Sequence, residues 1–108
     1  MGDGALSVDT SASDGVAVVV VCGEVDAETA QGLSEALDDI DDSAYVAVDL
    51  SAVEFMDSSG LYVLLVKGAA MREQGGSLAI RSASAPVRRL LHFSGLTSLL
   101  EPHRASQD

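Results

Sequence analysis

The residues best placed to do chemistry stand in the segment MDSSGL, residues 56–61, where a carboxylate precedes two hydroxyls and a glycine. Asp57 can cap a helix, because its side chain accepts hydrogen bonds from the amides two and three residues further on. A cap alone needs neither serine, and Gly60 costs about 1 kcal/mol relative to alanine inside a helix. The segment is therefore either a structural cap or a site that displays small hydroxyls at an exposed edge, with Gly60 allowing close approach.

A second acidic turn, GEVD, follows the apolar run Val16–Cys22. In open α/β sheets the loops at the carboxyl ends of parallel strands share one edge. Glu24 and Asp26 are therefore predicted to lie near Asp57 if their strands are neighbours. Three carboxylates could suggest a metal site, but no His or Cys is spaced to join them, and two loop tips are a weak signal. We expect neither a metal nor a cofactor.

Serine catalysis has little support in the rest of the chain. Of the two histidines, His92 lies in a predicted helix and the other in the C-terminal tail. The Gly-x-Ser-x-Gly pattern of a nucleophile elbow is absent, because Met56 and Gly60 stand two positions either side of Ser58. The glycines of EQGGS end a helix, whereas a phosphate-binding loop would start one. We therefore expect neither enzymatic activity nor a small-molecule substrate. A small hydrolase is a third alternative, behind two non-enzymatic functions.

Acidic residues are concentrated in one half of the chain. The net charge is −11, and residues 1–57 hold 14 of the 17 acids without a single Lys or Arg. This pattern is typical of a solvated surface, and equally of an acidic face for a basic partner, since complementary charge raises association rates. Nucleic acid is not an expected ligand, because a phosphate backbone requires clustered Lys and Arg and only Arg88 and Arg89 come close.

Length and composition predict one domain over residues 1–108, with an ordered core of about 5–100 and frayed termini. Hydrophobic residues make up 47% and aromatic residues 4%, so the core must be aliphatic. The run Val16–Cys22 is far shorter than the ~18 residues that span a bilayer, and the N-terminus lacks the basic start of a signal peptide. A lone Cys22 in this run indicates a buried small hydrophobe. These features predict a cytoplasmic protein without membrane contact.

Hydrophobic periodicity and turn signals predict the elements that position these residues. The run Val16–Cys22 is continuously apolar, which predicts a central strand covered on both faces. Asp26 stands where the N-cap of the following helix belongs. The predicted elements are a first strand joined to Val16–Cys22 through Asp14-Gly15, a helix over 27–40, a strand over 44–50, a helix over 58–74, a strand over 77–82, a short helix over 84–95 that begins near Pro86 and ends at Gly95, and a last short strand over 96–100.

Strands that alternate with helices imply right-handed crossovers and parallel pairing. The predicted fold is an α/β single-domain sandwich with a mixed, mostly parallel sheet of four to five strands and flanking helices. On the helix over 58–74, the residues expected to face the sheet leave Tyr62, Val63 and Val66 on the flank or outside. The first two turns thus lack the polar outer stripe of an ordinary core helix. Either a protein partner binds there, or the third helix covers these residues.

Four segments in order, GEVDAETA, VDLSAVEFMDSSGL, GGSLAI and SAPVRRLLHFSGL, resemble a STAS domain of the bacterial anti-sigma factor antagonist type. The resemblance runs from about Val16 to Leu100. It implies a STAS-like fold and a partner-switching protein. The unphosphorylated antagonist of that family binds an anti-sigma factor that is also a serine kinase, and so frees a sigma factor. Phosphorylation ends binding, and a PP2C-type phosphatase restores the binding form.

The resemblance also implies residue roles. The phosphate acceptor is the serine directly after the aspartate of the motif, Ser58, and Asp26 belongs to the kinase-contacting surface. Gly60 and the second serine are expected to keep the turn slim for the kinase, and Tyr62, where relatives carry a small residue, to narrow the choice of kinase. The alternative is a non-switching STAS scaffold or an accessory subunit of a transporter or stress-signalling complex. The other residues of the predicted partner-binding surface are Glu24, Asp57, Ser59, Gly60, Leu61, Val63 and Val66.

Overall fold

Valine-rich runs separated by polar turns form the strands of a single sheet in the computed structural model, which describes residues 6–99. The order along the sheet is β1-β2-β3-β4. The first pair is antiparallel, and the other two pairs are parallel. The mixed, mostly parallel sheet is therefore confirmed, with four strands. These are β1 (Leu6–Ser13), β2 (Val16–Val25), β3 (Tyr45–Met56) and β4 (Ser77–Ala83).

Three helices and a short 3-10 turn complete the described chain. They are α1 (Ala30–Asp38), α2 (Ser58–Glu73), α3 (Ala85–Phe93) and the 3-10 turn Thr97–Leu99. The predicted bounds of α2 are confirmed to within one residue, because its end is encoded locally. Gly75 has a φ of 87°, and the amide of Gly76 donates to the carbonyl of Met71 at 2.8 Å, the pattern of a glycine-terminated helix.

The β1–β2 hairpin turns at Asp14 and Gly15, as predicted. Their φ angles are 54° and 82°. Two consecutive left-handed residues twist the chain in the sense that matches a right-handed strand pair, which is why Asp-Gly favours tight hairpins. The hairpin places β1 at one edge of the sheet.

Both ends of the predicted α1 are wrong, because α1 begins at Ala30 and ends at Asp38. Residues 26–29 form a turn instead, since the Asp26 carboxylate accepts from the amides of Glu28 and Thr29 at 3.0 and 3.1 Å. Asp26 therefore organises the turn before α1, and the N-cap is Thr29. Ile40 lies past the helix end, where it is half-buried against the core.

The predicted last strand is wrong as well. Residues Thr97–Leu99 form a 3-10 turn, because the chain curls back on α3. The amide of Leu96 donates to the carbonyl of Leu91 at 2.8 Å, and Gly95 permits this return with a φ of 71°. Residue 100 lies outside the described residues, as do the first four residues and residues 101–108, where fraying was predicted.

The sheet is covered on one face only, which corrects the prediction for β2. Val19 and Val21 are fully buried, whereas the alternate residues Val18, Val20 and Cys22 are only half-buried. All three helices contribute to the one core that contains the buried strand residues, so they lie on the same face. An unbroken apolar run therefore indicates an interior strand here, but not double coverage.

Strands β2 and β3 extend further than the sequence predicted. β4 last pairs with β3 at Leu50, and beyond that point β3 pairs with β2 alone, through two register shifts, as far as Met56 beside Val25. The two strands therefore project past β4 and carry their following loops to one corner of the molecule. In the part of the chain described, no helix is long and apolar enough to cross a membrane.

Candidate functional site

Two acidic turns meet where β2 and β3 end. Val25 pairs with Met56, and the amide of Asp57 donates to the carbonyl of Val25 at 3.0 Å. Asp26 and Asp57 are therefore the first residues after neighbouring parallel strands, and Glu24 pairs one position earlier with Phe55. The prediction that the two acidic turns lie side by side is confirmed.

Asp57 holds the first turn of α2 in place. Its backbone is extended, with φ −112° and ψ −172°, and its carboxylate accepts from the amide of Ser59 at 2.8 Å. Ser59 is half-buried, whereas Ser58 is exposed as the first residue of the helix. The segment is thus a cap that also displays a hydroxyl.

Gly60 faces the interior, and the close approach that it allows is to the ends of β2 and β3. A Cβ at this position would lie 2.5 Å from Cγ1 of Val25 and 3.2 Å from Cγ of Met56. Glycine is required because the first turn of α2 rests directly on the ends of β2 and β3. Leu61 is also buried, at 4% exposure. Both residues support the turn from inside, and both are buried.

The Asp26 turn is held by a compact set of hydrogen bonds that the sequence analysis missed. The Thr29 hydroxyl donates to the carbonyl of Glu24 at 2.8 Å and accepts from the amide of Asp26 at 2.9 Å. The backbone N–H of Thr29 is the main cause that holds the pKa of Asp26 below its usual 3.8, with the N–H of Glu28 adding to it. Asp26 is therefore a fixed negative charge at neutral pH. The Asp-x-x-Thr spacing is the signal that could have revealed this turn.

The outer flank of α2 is apolar, as predicted. Tyr62 is 67% and Val66 50% exposed, and Val63 is half-buried. The third helix does not cover these residues; they border a groove whose other wall is α1. Leu65 is half-buried and packs against the core.

Lys67 is a buried cation that the sequence analysis did not single out. Its ammonium donates to Oδ1 of Asp42 and to the carbonyl of Ile40, both at 2.7 Å, and its side chain is 9% exposed. A buried charge is tolerated only when paired and hydrogen-bonded. This pair ties the α1–β3 loop to α2. A single Lys among the apolar residues of α2 is the sequence feature that could have indicated a buried, paired charge.

The described residues, 6–99, contain no group of three His, Cys, Asp or Glu side chains that could hold a metal. Glu24, Asp26 and Asp57 share a corner of the molecule without forming such a cluster. His92 is exposed on α3, where it contacts Phe93 edge-on with ring centroids 6.0 Å apart. The corner therefore presents a hydroxyl, carboxylates and an apolar flank, which suit recognition of another protein.

The sequence of this chain is similar to those of several known proteins. The profile of the family described as "Mlab, STAS domain" matches residues 8–101. An anti-sigma F factor antagonist from Paenibacillus polymyxa is 31% identical over 98 residues, which cover 88% of this chain and 84% of that protein. The anti-sigma-F factor antagonist RsfB from Mycobacterium tuberculosis is 35% identical over 96 residues, 84% of this chain and 75% of its own.

A solved structure is similar in both fold and sequence. The crystal structure of an anti-sigma factor antagonist from Mycobacterium paratuberculosis superimposes with a TM-score of 0.79 and 33% identity, over 89% of this chain and 83% of that chain. Antagonists of this kind are regulatory binding proteins, which agrees with the expectation that this chain is not an enzyme. The motif order, the four-stranded sheet with three helices and the family match together establish that the chain belongs to the STAS domain family.

Proposed function

We propose that this chain is an anti-sigma factor antagonist in a partner-switching pathway. The unphosphorylated form binds an anti-sigma factor serine kinase and so releases a sigma factor. Phosphorylation at Ser58 ends binding, and a PP2C-type phosphatase restores the binding form. The observation that carries the proposal is an exposed Ser58 at the N-terminus of α2, beside Asp57 and Asp26, in a chain similar to antagonists over most of its length.

Exposure and hydrogen bonding favour Ser58 over Ser59 as the acceptor. The backbone of Ser59 is held by Asp57 at 2.8 Å, and its side chain is half-buried, whereas that of Ser58 is exposed. In the transfer, the Ser58 oxygen attacks the γ-phosphorus of ATP, the bond to the bridging oxygen breaks, and ADP leaves. The hydroxyl proton passes to a base of the kinase.

The phosphate acts as a switch because the corner of the molecule does not neutralise it. It adds about −1.5 to −2 charges. The α2 N-terminus favours an anion by only about 0.3–1 kcal/mol at an exposed position, and the carboxylates of Asp57 and Asp26 oppose it. We therefore expect little refolding, and release through charge that must be desolvated or repelled at the interface. A loss of about 3–4 kcal/mol weakens binding several hundredfold.

The surface that surrounds Ser58 combines charge and apolar area. Glu24, Asp26 and Asp57 supply the acidic part, and the exposed flank of α2 supplies the apolar part. Apolar centres with polar rims are the common anatomy of protein interfaces. We assign the partner surface to Glu24, Asp26, Asp57, Ser58, Ser59, Tyr62, Val63 and Val66.

The test is phosphate transfer from ATP by the purified anti-sigma factor kinase of the same organism. Intact mass spectrometry should show one phosphate, and fragmentation should locate it on Ser58. Ser58→Ala should take up none, whereas the matched control Ser59→Ala should be phosphorylated. Incorporation into Ser58→Ala, or a phosphate on Ser59, contradicts the assignment. Stable binding without any transfer would instead favour the non-switching scaffold or accessory subunit.

A further inference from the structure

A groove runs between α1 and α2, from the serine turn toward the far end of α1. Its outer part opens beside Ser58 and Ser59, and its inner part is a cavity of about 340 Å³. Tyr62 and Val63 line both parts, so the two are continuous. We call it the α1–α2 groove. Its inner part is lined chiefly by Leu37, Asp38, Asp42, Val66, Lys67 and Ala70.

The floor of the α1–α2 groove is apolar and open to solvent. Leu37 is almost fully buried beneath it, while Val66 is 50% exposed on the wall formed by α2. Exposed apolar surface rimmed by polar residues is characteristic of a binding site for another protein. The inner part is large enough to hold a bulky side chain.

The rim of the inner part is negatively charged. Asp38 is exposed and Asp42 is 40% exposed. Lys67 lines this part as well, and its buried ammonium donates to Asp42 and to the carbonyl of Ile40, so that it offsets the charge of Asp42. The exposed charge that a partner meets at this rim is therefore chiefly that of Asp38, and a Lys or Arg complements it.

We propose that the α1–α2 groove binds a segment of the anti-sigma factor in which a large apolar side chain stands next to a Lys or Arg. The apolar side chain enters the inner part, and the cation pairs with Asp38 on the rim. A groove between two helices commonly accepts an amphipathic segment in this way. The inference rests on the proposed function and extends the assigned partner surface along α1 and α2, away from the phosphorylated corner.

The anchor lies beyond the direct reach of the phosphate. Ala70 follows Ser58 by twelve residues on α2, which corresponds to about 18 Å along the helix. Exposed charges interact weakly beyond a Debye length of about 8 Å at physiological ionic strength. The groove therefore sets affinity and partner choice in both states, and Ser58 sets whether the complex persists.

Two matched pairs of variants test this inference by calorimetry against the anti-sigma factor kinase. Asp38→Lys reverses a charge on the rim, and Asp39→Lys makes the same change one position outside the groove. Ala70→Leu fills the inner part, and Ala69→Leu adds the same side chain at an exposed position that does not line it. Asp38→Lys and Ala70→Leu should each weaken binding at least tenfold. Their controls should stay within about twofold of the unmodified protein.

The phosphorylated protein supplies a second measurement. Ala70→Leu should weaken binding by the same factor whether Ser58 carries phosphate or not, because the two sites act independently. The groove anchor would be overturned if each variant bound the kinase as tightly as its control. The proposed function would still stand if the unmodified protein bound the kinase and was released on phosphorylation. Loss of self-association in Ala70→Leu with unchanged kinase binding would assign the groove to a second copy and also overturn it. An unmodified protein that never binds the kinase would refute the proposed function itself.

Discussion

At the N-terminus of α2, two adjacent side chains have different relations to the backbone. The Asp57 carboxylate accepts a hydrogen bond from the amide of Ser59, which fixes the turn, whereas Ser58 is exposed to solvent. Because the turn is held by Asp57, changes at Ser58 should alter the charge of the corner without altering its shape. Asp57 thus stabilises the fold, while Ser58 is left free for recognition.

Substitution of Ser58 therefore distinguishes charge from shape. Ser58→Asp adds about one charge instead of nearly two, and at a shorter reach, so it should weaken kinase binding partially. Ser58→Ala should bind as tightly as the unmodified protein, since it removes only a hydroxyl. Titration calorimetry gives the ordering, with circular dichroism as the control for folding. Equal affinity of Ser58→Asp and the unmodified protein would exclude charge as the dominant cause, and a large spectral change would indicate a switch by refolding.

At the scale of elements, α2 approaches the sheet at two glycines that differ in their surroundings. Gly60 lies against Val25 and Met56, with no room for a Cβ, whereas a Cβ at Gly68 would lie 3.9 Å from Cβ of Leu78, an ordinary contact. Glycine is thus required at position 60, where α2 rests on the strand ends, whereas position 68 also has room for a Cβ. The position of the serine turn depends on the first of these contacts.

Alanine at the two positions should have opposite effects on stability. Gly60→Ala should lower the free energy of unfolding by about 1–3 kcal/mol, because Val25 is stiff and buried and the core is overpacked. Gly68→Ala should raise it by up to about 1 kcal/mol, because alanine is the better helix former. Urea unfolding measures both. A Val25→Ala change should partially restore the stability lost in Gly60→Ala. Equal changes in the free energy of unfolding at both glycines would show that packing against Val25 does not cause the loss at Gly60.

At the scale of the whole molecule, a chain of net charge −11 is stabilised where individual carboxylates are hydrogen-bonded. Ser51 donates both its hydroxyl, at 2.6 Å, and its amide, at 2.9 Å, to Asp49. These bonds, the hydroxyl first, hold the pKa of Asp49 below its usual 3.8. Asp41 has the same arrangement with Ser43, where the amide contributes most to the lowered pKa. Ionised forms of these groups therefore favour the folded state.

The pH dependence of stability follows from the sign of these shifts. Because the folded pKa of Asp49 is lowered, its contribution is fully present above pH 3.8 and is lost as pH falls through the folded value. Ser51→Ala should cost about 0.5–1.5 kcal/mol at pH 7. This difference from the unmodified protein should shrink as the pH falls below 3.8. Urea unfolding from pH 2.5 to 7 gives the curve, and a difference that grows on acidification would contradict it.

The sequence determined the features that depend on neighbours within a few residues. Alternating elements and their order, the Asp14-Gly15 hairpin, the bounds of α2 and the place of Ser58 after a capping Asp57 all follow from local periodicity, turn chemistry and capping. These signals act through the backbone itself, so no distant contact is needed to interpret them. The family motif, also contained in the sequence, was confirmed by the match over residues 8–101.

Tertiary structure alone decided what depends on residues far apart in the chain. Gly60 is required by Val25, Lys67 is buried by Asp42 and Ile40, and the sheet has one covered face because all three helices pack on the same side. The α1–α2 groove likewise exists only once the two helices lie beside each other. Close packing and the pairing of a buried charge are properties of the assembled core. Sequence spacing alone does not reveal which residues far apart in the chain will come into contact.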